Sequence, residues 1–189
     1  MRKVFGVFLM LVFCASCGED IQPKPGAFLA LEYPPAKYGP INVDCPYIFE
    51  INELAAVTDA EGKNPCWINL KYEKLNGTIF ITYRPVNNNL RALLQDAQKL
   101  PLQHTIKADV IEGDIYTNKL HDVYGMLYEV SGDAASQVQF YVTDSVEHFL
   151  TGSVYFNARP NFDSLLPAAE YLKKDVRHIM ETLKWVETE

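Results

Sequence analysis

Nothing in this chain of 189 residues matches a motif that carries a known reaction. HExxH, GxSxG and a Gly-rich phosphate loop are all missing, which removes the usual zinc-hydrolase, serine-hydrolase and P-loop chemistries. Histidine is scarce. His104, His121, His148 and His178 are the whole set, and they share no metal-ligand spacing. Basic charge is short as well: 17 Lys and Arg stand against 24 Asp and Glu, with no local Lys/Arg cluster. Such an acidic body argues against nucleic acid and against electrostatic docking on anionic lipid. No catalytic residue, metal or cofactor is therefore expected. The acids Asp122, Asp133, Asp144 and Asp163 read as turn or cap residues rather than active carboxylates.

Long apolar runs are missing except at the start. Arg2 and Lys3 precede an apolar stretch from Val4 to Phe13, broken only by Gly6, and then come Ala15, Ser16 and Cys17. This is the pattern of a secretory signal that ends in small residues before a cysteine. Its length is roughly half of the ~20 residues that a helix needs to span a bilayer, so cleavage is expected rather than retention as an anchor. Ala15 and Ser16 fit a signal-peptidase pocket, and Cys17 is where a bacterial lipoprotein takes its acyl groups, palmitate among them. Cys14 is a poorer acceptor because bulky Phe13 precedes it. The alternative is an ordinary signal peptide cut elsewhere. The expected organisation is a lipoprotein signal over 1–16, a lipidated tether over 17–26, and one α+β domain over 27–189.

Cysteine is also sparse, four in all. Once Cys14 leaves with the signal and Cys17 carries lipid, Cys45 and Cys66 remain, in a compartment that permits disulfides. A bond between them closes a loop of about 22 residues and contributes about 3 kcal/mol if unstrained. The alternatives are two buried thiols or a metal pair, the latter with no histidine nearby in sequence. Cleavage also removes Arg2 and Lys3, leaving 15 basic residues against 24 acidic ones, a net of −9.

Apolar residues make up 48% of the chain and aromatics 12%, enough for a sizeable core. Phe28–Tyr33 alternates as a strand does, and Tyr47–Ile51 and Ala55–Thr58 read as short strands. Trp67–Tyr72 and Thr78–Tyr83 flank Asn76-Gly77, the signature of a hairpin. Asn89 can cap a helix that puts Leu90, Leu93, Leu94, Ala97 and Leu100 on one face. Pro101 should break or kink it, with His104–Val110 continuing as a second helical piece. Residues 115–157 read as a β meander. The final helix is marked by Ser164 as N-cap, Pro167 in the first turn, and Leu165, Ala169, Leu172, Val176, Ile179 and Leu183 at three- and four-residue steps. Lys173, Arg177 and Glu181 fall on its wet side. Core packing is the expected use of this helix, a partner-binding face the alternative. The order predicts an α+β fold, an antiparallel sheet flanked by two helices in an α/β/α sandwich, and resembles the Mog1/PsbP-like arrangement.

One phrase recurs. Ile81-Thr82-Tyr83-Arg84-Pro85 leads into Asn89-Leu90, and Phe156-Asn157-Ala158-Arg159-Pro160 leads into Ser164-Leu165. Each sets an arginine between a strand and a helix N-terminus, where anions are favoured. Arg84 and Arg159 are thus candidates for an anion or partner contact. In the alternative, Pro fixes the strand exit and each Arg pairs with a surface acid.

Cys66-Trp67-Ile68-Asn69-Leu70, Ile81 to Val86, Asp96 to Leu100, His104 to Ala108, and Tyr155 to Asn161 running on to Asp175-Val176-Arg177-His178 resemble the gliding-motility lipoprotein GldD family. The similarity covers nearly the whole mature chain, lipoprotein signal included. It implies a cell-envelope protein required for gliding and tied to type IX secretion, with other envelope proteins of that machinery as partners. It implies no catalytic residues. The expected function is a non-enzymatic accessory or assembly factor, lipid-anchored and facing the periplasm, with surface export, hinted at by Glu19 and Asp20, as the alternative. The alternatives are a small-ligand or glycan-binding lipoprotein, and an envelope hydrolase with an unfamiliar site. Since one tether supplies the anchoring, Cys17→Ala should move the protein from the membrane to the soluble fraction on cell fractionation.

Overall fold

The computed structural model describes residues 33–60, 64–102, 108–158 and 162–187. Four short strands come first: β1 (Tyr38–Pro40), β2 (Tyr47–Ile48), β3 (Glu50–Asn52) and β4 (Ala56–Asp59). Then follow β5 (Trp67–Tyr72), β6 (Gly77–Pro85) and a helix, α1 (Leu90–Leu102). The strands β7 (Ala108–Asn118), β8 (Val123–Gly132), β9 (Val138–Thr143) and β10 (His148–Phe156) form the meander. A second helix, α2 (Phe162–Thr182), and a final strand, β11 (Lys184–Trp185), complete the order.

The main sheet has seven strands in the order β4-β5-β6-β10-β9-β8-β7, and every neighbouring pair is antiparallel. The protein is therefore α+β, as expected. Two meanders meet at its centre. β4-β5-β6 builds one half, and α1 carries the chain across to the far edge, from which β7-β8-β9-β10 returns to pair with β6. The β5–β6 hairpin forms where the sequence placed it, its turn a short 3-10 segment at Glu73–Leu75 followed by left-handed Asn76 at φ 51°. Antiparallel β-strand residues alternate faces, and β10 shows the result. Leu150 and Val154 join the large core with Leu172, Val176 and Ile179 of α2 and with Leu183 just beyond it. Phe149 packs with Tyr141 against Leu93 and Ala97 of α1. Gly152 sits at the middle of β10 because the ring of Phe140 lies where a side chain would be.

Several expectations are corrected. Ala108–Val110 belongs to β7, not to a helix; residues 104–107 and most of the expected first strand, 28–32, lie outside the described residues. β7 is an edge strand with most of its positions exposed, so no apolar alternation marks it. Its Asp109, Glu112 and Asp114 are charges that discourage pairing with a foreign strand. Pro101 lies inside α1, buried in its last turn one residue before the helix ends at Leu102, and Leu100, expected on the apolar face, is exposed. α2 starts at Phe162, so Ser164 lies inside the helix and Pro167 falls in its second turn. Lys173 is partly buried, because its ammonium reaches Glu129 at 2.9 Å and Glu170 at 2.8 Å. Arg177, exposed as expected, joins Asp114 at 2.6 Å and Glu129 at 3.1 Å. These ion pairs bind α2 to the β7–β8 side of the sheet.

The N-terminal arm, residues 33–55, packs against α2 before the chain enters the sheet at β4. β1 pairs with β3, and β2 pairs with β11. Cys45 and Cys66 form a disulfide with Cα atoms 5.5 Å apart, inside the normal reach of the bond. Tyr47 adds a hydrogen bond of 3.0 Å from its hydroxyl to the Cys66 carbonyl. Leu172 and Ile179 are fully buried. Leu172→Ala and Ile179→Ala should each lower stability by roughly 2–5 kcal/mol in urea unfolding, and small losses at both would place the helix face outside the core.

Candidate functional site

Two places gather polar chemistry. The first lies where the arm crosses α2. Asp175 occupies the flank of the helix's apolar face, only 1% exposed. The Tyr38 hydroxyl donates to its Oδ1 at 2.7 Å, and Asn52 Nδ2 donates to Oδ1 at 3.3 Å and Oδ2 at 3.0 Å. Asn52 Nδ2 also reaches the Tyr171 hydroxyl at 3.0 Å, which in turn donates to the Pro34 carbonyl at 3.1 Å. The backbone N–H of Leu54 occupies the Asn52 Oδ1. Tyr72 is buried within the field of the same carboxylate but makes no hydrogen bond of ordinary geometry.

Burial pushes the Asp175 carboxyl above the usual carboxylate range, although Tyr38 and Asn52 pull the other way. Burial and the neighbouring carboxylate together push Tyr38 and Tyr72 far up, so both stay neutral phenols. Beside this network opens a cavity of about 410 Å³ lined by Tyr33, Pro34, Tyr38, Tyr171, Lys174 and Asp175 itself. His178 stacks on Tyr38 at 3.7 Å, yet its Nε2 meets Glu50 at 2.8 Å, not Asp175. The geometry holds a fold together; it does not pair a histidine with the buried acid.

The second place is the end of the sheet where the β7–β8 and β9–β10 turns emerge. Tyr124 is registered against Thr143, which puts the two turns side by side. The first is shaped by Asn118 Oδ1, which accepts from Leu120 N at 3.1 Å, and by Asp122 at φ 50°. The second is built on Asp144, whose Oδ1 accepts the backbone N–H groups of Val146, Glu147 and His148 at 2.9, 2.9 and 2.8 Å. Burial raises the Asp144 carboxyl, but those three donors and the nearby His148 hold it below its ordinary value. Trp185 braces both turns: its indole N–H donates to the Asp122 carbonyl at 3.1 Å, and its ring stacks on His148 at 5.0 Å. His148 Nδ1 lies 2.8 Å from the Tyr83 hydroxyl. Between the turns is a cleft of about 340 Å³. At the turn tips Leu120 is 83% exposed and Val146 69%.

Of the residues singled out in the sequence, Cys45 and Cys66 are joined. Arg84 is exposed at the end of β6 and makes no ion pair with any described residue. Cys17 and Arg159 lie outside the described residues. β10, which leads toward Arg159, runs antiparallel to β6: Phe156 pairs with Gly77, while Arg84 pairs with Phe149 at the other end of the ladder. Among the described residues no cluster of three or more His, Cys, Asp or Glu could hold a metal, and no helix is long and apolar enough to cross a membrane. Sequence reading missed both Asp175 and the Leu120–Val146 tips. A charged residue inside a helical apolar stripe was the only available signal for the former.

The class that the structure defines is a disulfide-bonded α+β domain built on an antiparallel sheet. The family described as gliding motility lipoprotein GldD matches residues 18–185 of the 189, and the chain belongs to it. No curated protein matches it.

The Asp175 carboxyl titrates higher folded than unfolded, so its contribution to stability is complete below about pH 4 and is lost as pH rises through its folded value. Asp175→Asn removes that limb. In urea unfolding from pH 4 to 7, stability of the variant relative to the native protein should therefore rise with pH. A pH-independent difference would mean that Asp175 is not raised.

Proposed function

We propose that this gliding-motility lipoprotein is a non-enzymatic accessory or assembly factor, held to a membrane by lipid on Cys17, facing the periplasm, and working by contact with other envelope proteins. Family membership supports the motility role. The link to type IX secretion rests on that kinship alone. The observation that carries the contact reading is the pair of apolar tips, Leu120 and Val146, projecting from turns fixed by Asn118, Asp144 and Trp185. Apolar side chains on rigid, water-facing turns gain nothing for the fold, while buried apolar anchors are what protein interfaces use. The placement of α1 and α2 against oppositely facing residues of β10 supports an α/β/α layering akin to the Mog1/PsbP-like sandwich.

A second reading, a small-ligand or glycan-binding lipoprotein, draws on the tyrosine-lined cavity above Asp175. Arg84 is not among the residues that line it. The two readings separate by mutation. The double variant Leu120→Ser with Val146→Ser should keep stability within about 0.5 kcal/mol of the native protein, as solvent-facing changes do. Its membrane level should be normal, and colony spreading should be lost. Normal spreading would overturn the contact reading at this surface.

A further inference from the structure

The cleft between the two apolar tips has a charge of its own. Asp122, Asp144, Glu147 and Glu187 line it against a single lysine, Lys184, and the braced indole of Trp185 stands among them. Asp144 remains ionised because backbone donors hold its carboxyl low. The Trp185 ring is fixed at both ends, by the Asp122 carbonyl and by the His148 stack. An acidic, aromatic cleft, two of whose lining residues, His121 and Glu147, adjoin the exposed Leu120 and Val146 in sequence, matches one chemistry: a Lys or Arg side chain flanked by apolar residues. Carboxylates attract the cation, and an indole face adds a cation–π contact.

We propose that this end of the sheet docks a basic segment of a partner protein, with apolar side chains meeting Leu120 and Val146 and a Lys or Arg entering the cleft beside Trp185. The inference rests on the contact reading above and names the partner's chemistry. Charge decides against the other occupants. A bilayer of anionic lipid is repelled by the cleft acids and by the acidic body behind them. A second copy on a two-fold axis sets the same acids face to face. The turns need no rearrangement to bind, since side-chain and backbone hydrogen bonds already fix them, and preorganisation of this kind lowers the ordering loss on association.

Photo-crosslinking in the protein's own cells tests it, with the full lipidated chain carrying p-benzoylphenylalanine at Leu120 or Val146. Control positions are Val57 and Tyr155, exposed elsewhere on the domain. The expected result is an adduct from both tips to one protein, with the attachment peptide rich in Lys or Arg. Introducing Glu147→Lys with Glu187→Lys should cut adduct yield by about tenfold through charge repulsion, with the unfolding midpoint retained as the check on folding. A lipid adduct, an adduct to a second copy, a peptide without basic residues, or a yield indifferent to the charge reversal each overturns the docking chemistry. Adducts to protein from the control positions alone would overturn this surface and leave the contact reading standing. No protein adduct from any of the four positions would overturn both.

Discussion

The carboxylate of Asp175 is the constraint on which the rest of the structure depends. It lies where helix, sheet and N-terminal arm meet, and its partners come from two strands of the arm, Tyr38 of β1 and Asn52 of β3. Asn52 then reaches Tyr171, and Tyr171 reaches Pro34. One buried acid thereby sets the path of the chain from residue 34 to residue 54. A buried acid in such a place is tolerated only while its hydrogen bonds are kept. Removing one partner leaves charge or hydroxyl stranded, so the network behaves as a unit. The disulfide and the β2–β11 pair fasten the same arm at two further points, and the arm in turn packs against α2.

Much of this architecture was legible beforehand because it follows from periodicity. The hairpin at Asn76-Gly77, the meander and the buried stripe of α2 all have strong repeats, and the structure has them. The cysteine pairing followed from elimination and compartment. What escaped lacks a local signal. β7 has neither face well buried, so nothing in its composition alternates. Asp175 reads as an ordinary polar residue among Lys173, Lys174 and Arg177, and only the arrival of an arm some 120 residues earlier in the chain makes it a core group. The tips were invisible for a related reason: Leu120 and Val146 look like core residues until the turns that hold them are seen.

In the sequence the two Arg-Pro phrases close or follow β6 and β10. Both phrases end a strand and introduce a helix, which suggests one shared site. β6 and β10 are neighbours, but they are antiparallel, and antiparallel neighbours send equivalent ends in opposite directions. α1 then covers Tyr141 and Phe149, while α2 covers Leu150 and Val154. The helices that follow the two strands therefore cover opposite faces of the sheet.

The pairing of β2 with β11 bears on how the fold closes. Tyr47 sits opposite Trp185, and Ile48 opposite Lys184. The strand that seals the early arm therefore comes from beyond α2, far along the chain. Contacts so distant in sequence form late, and Trp185 also carries the brace between the two exposed turns. Closure of the arm and the brace on the two turns therefore depend on one residue: Trp185 pairs with Tyr47 on one side and holds Asp122 and His148 on the other.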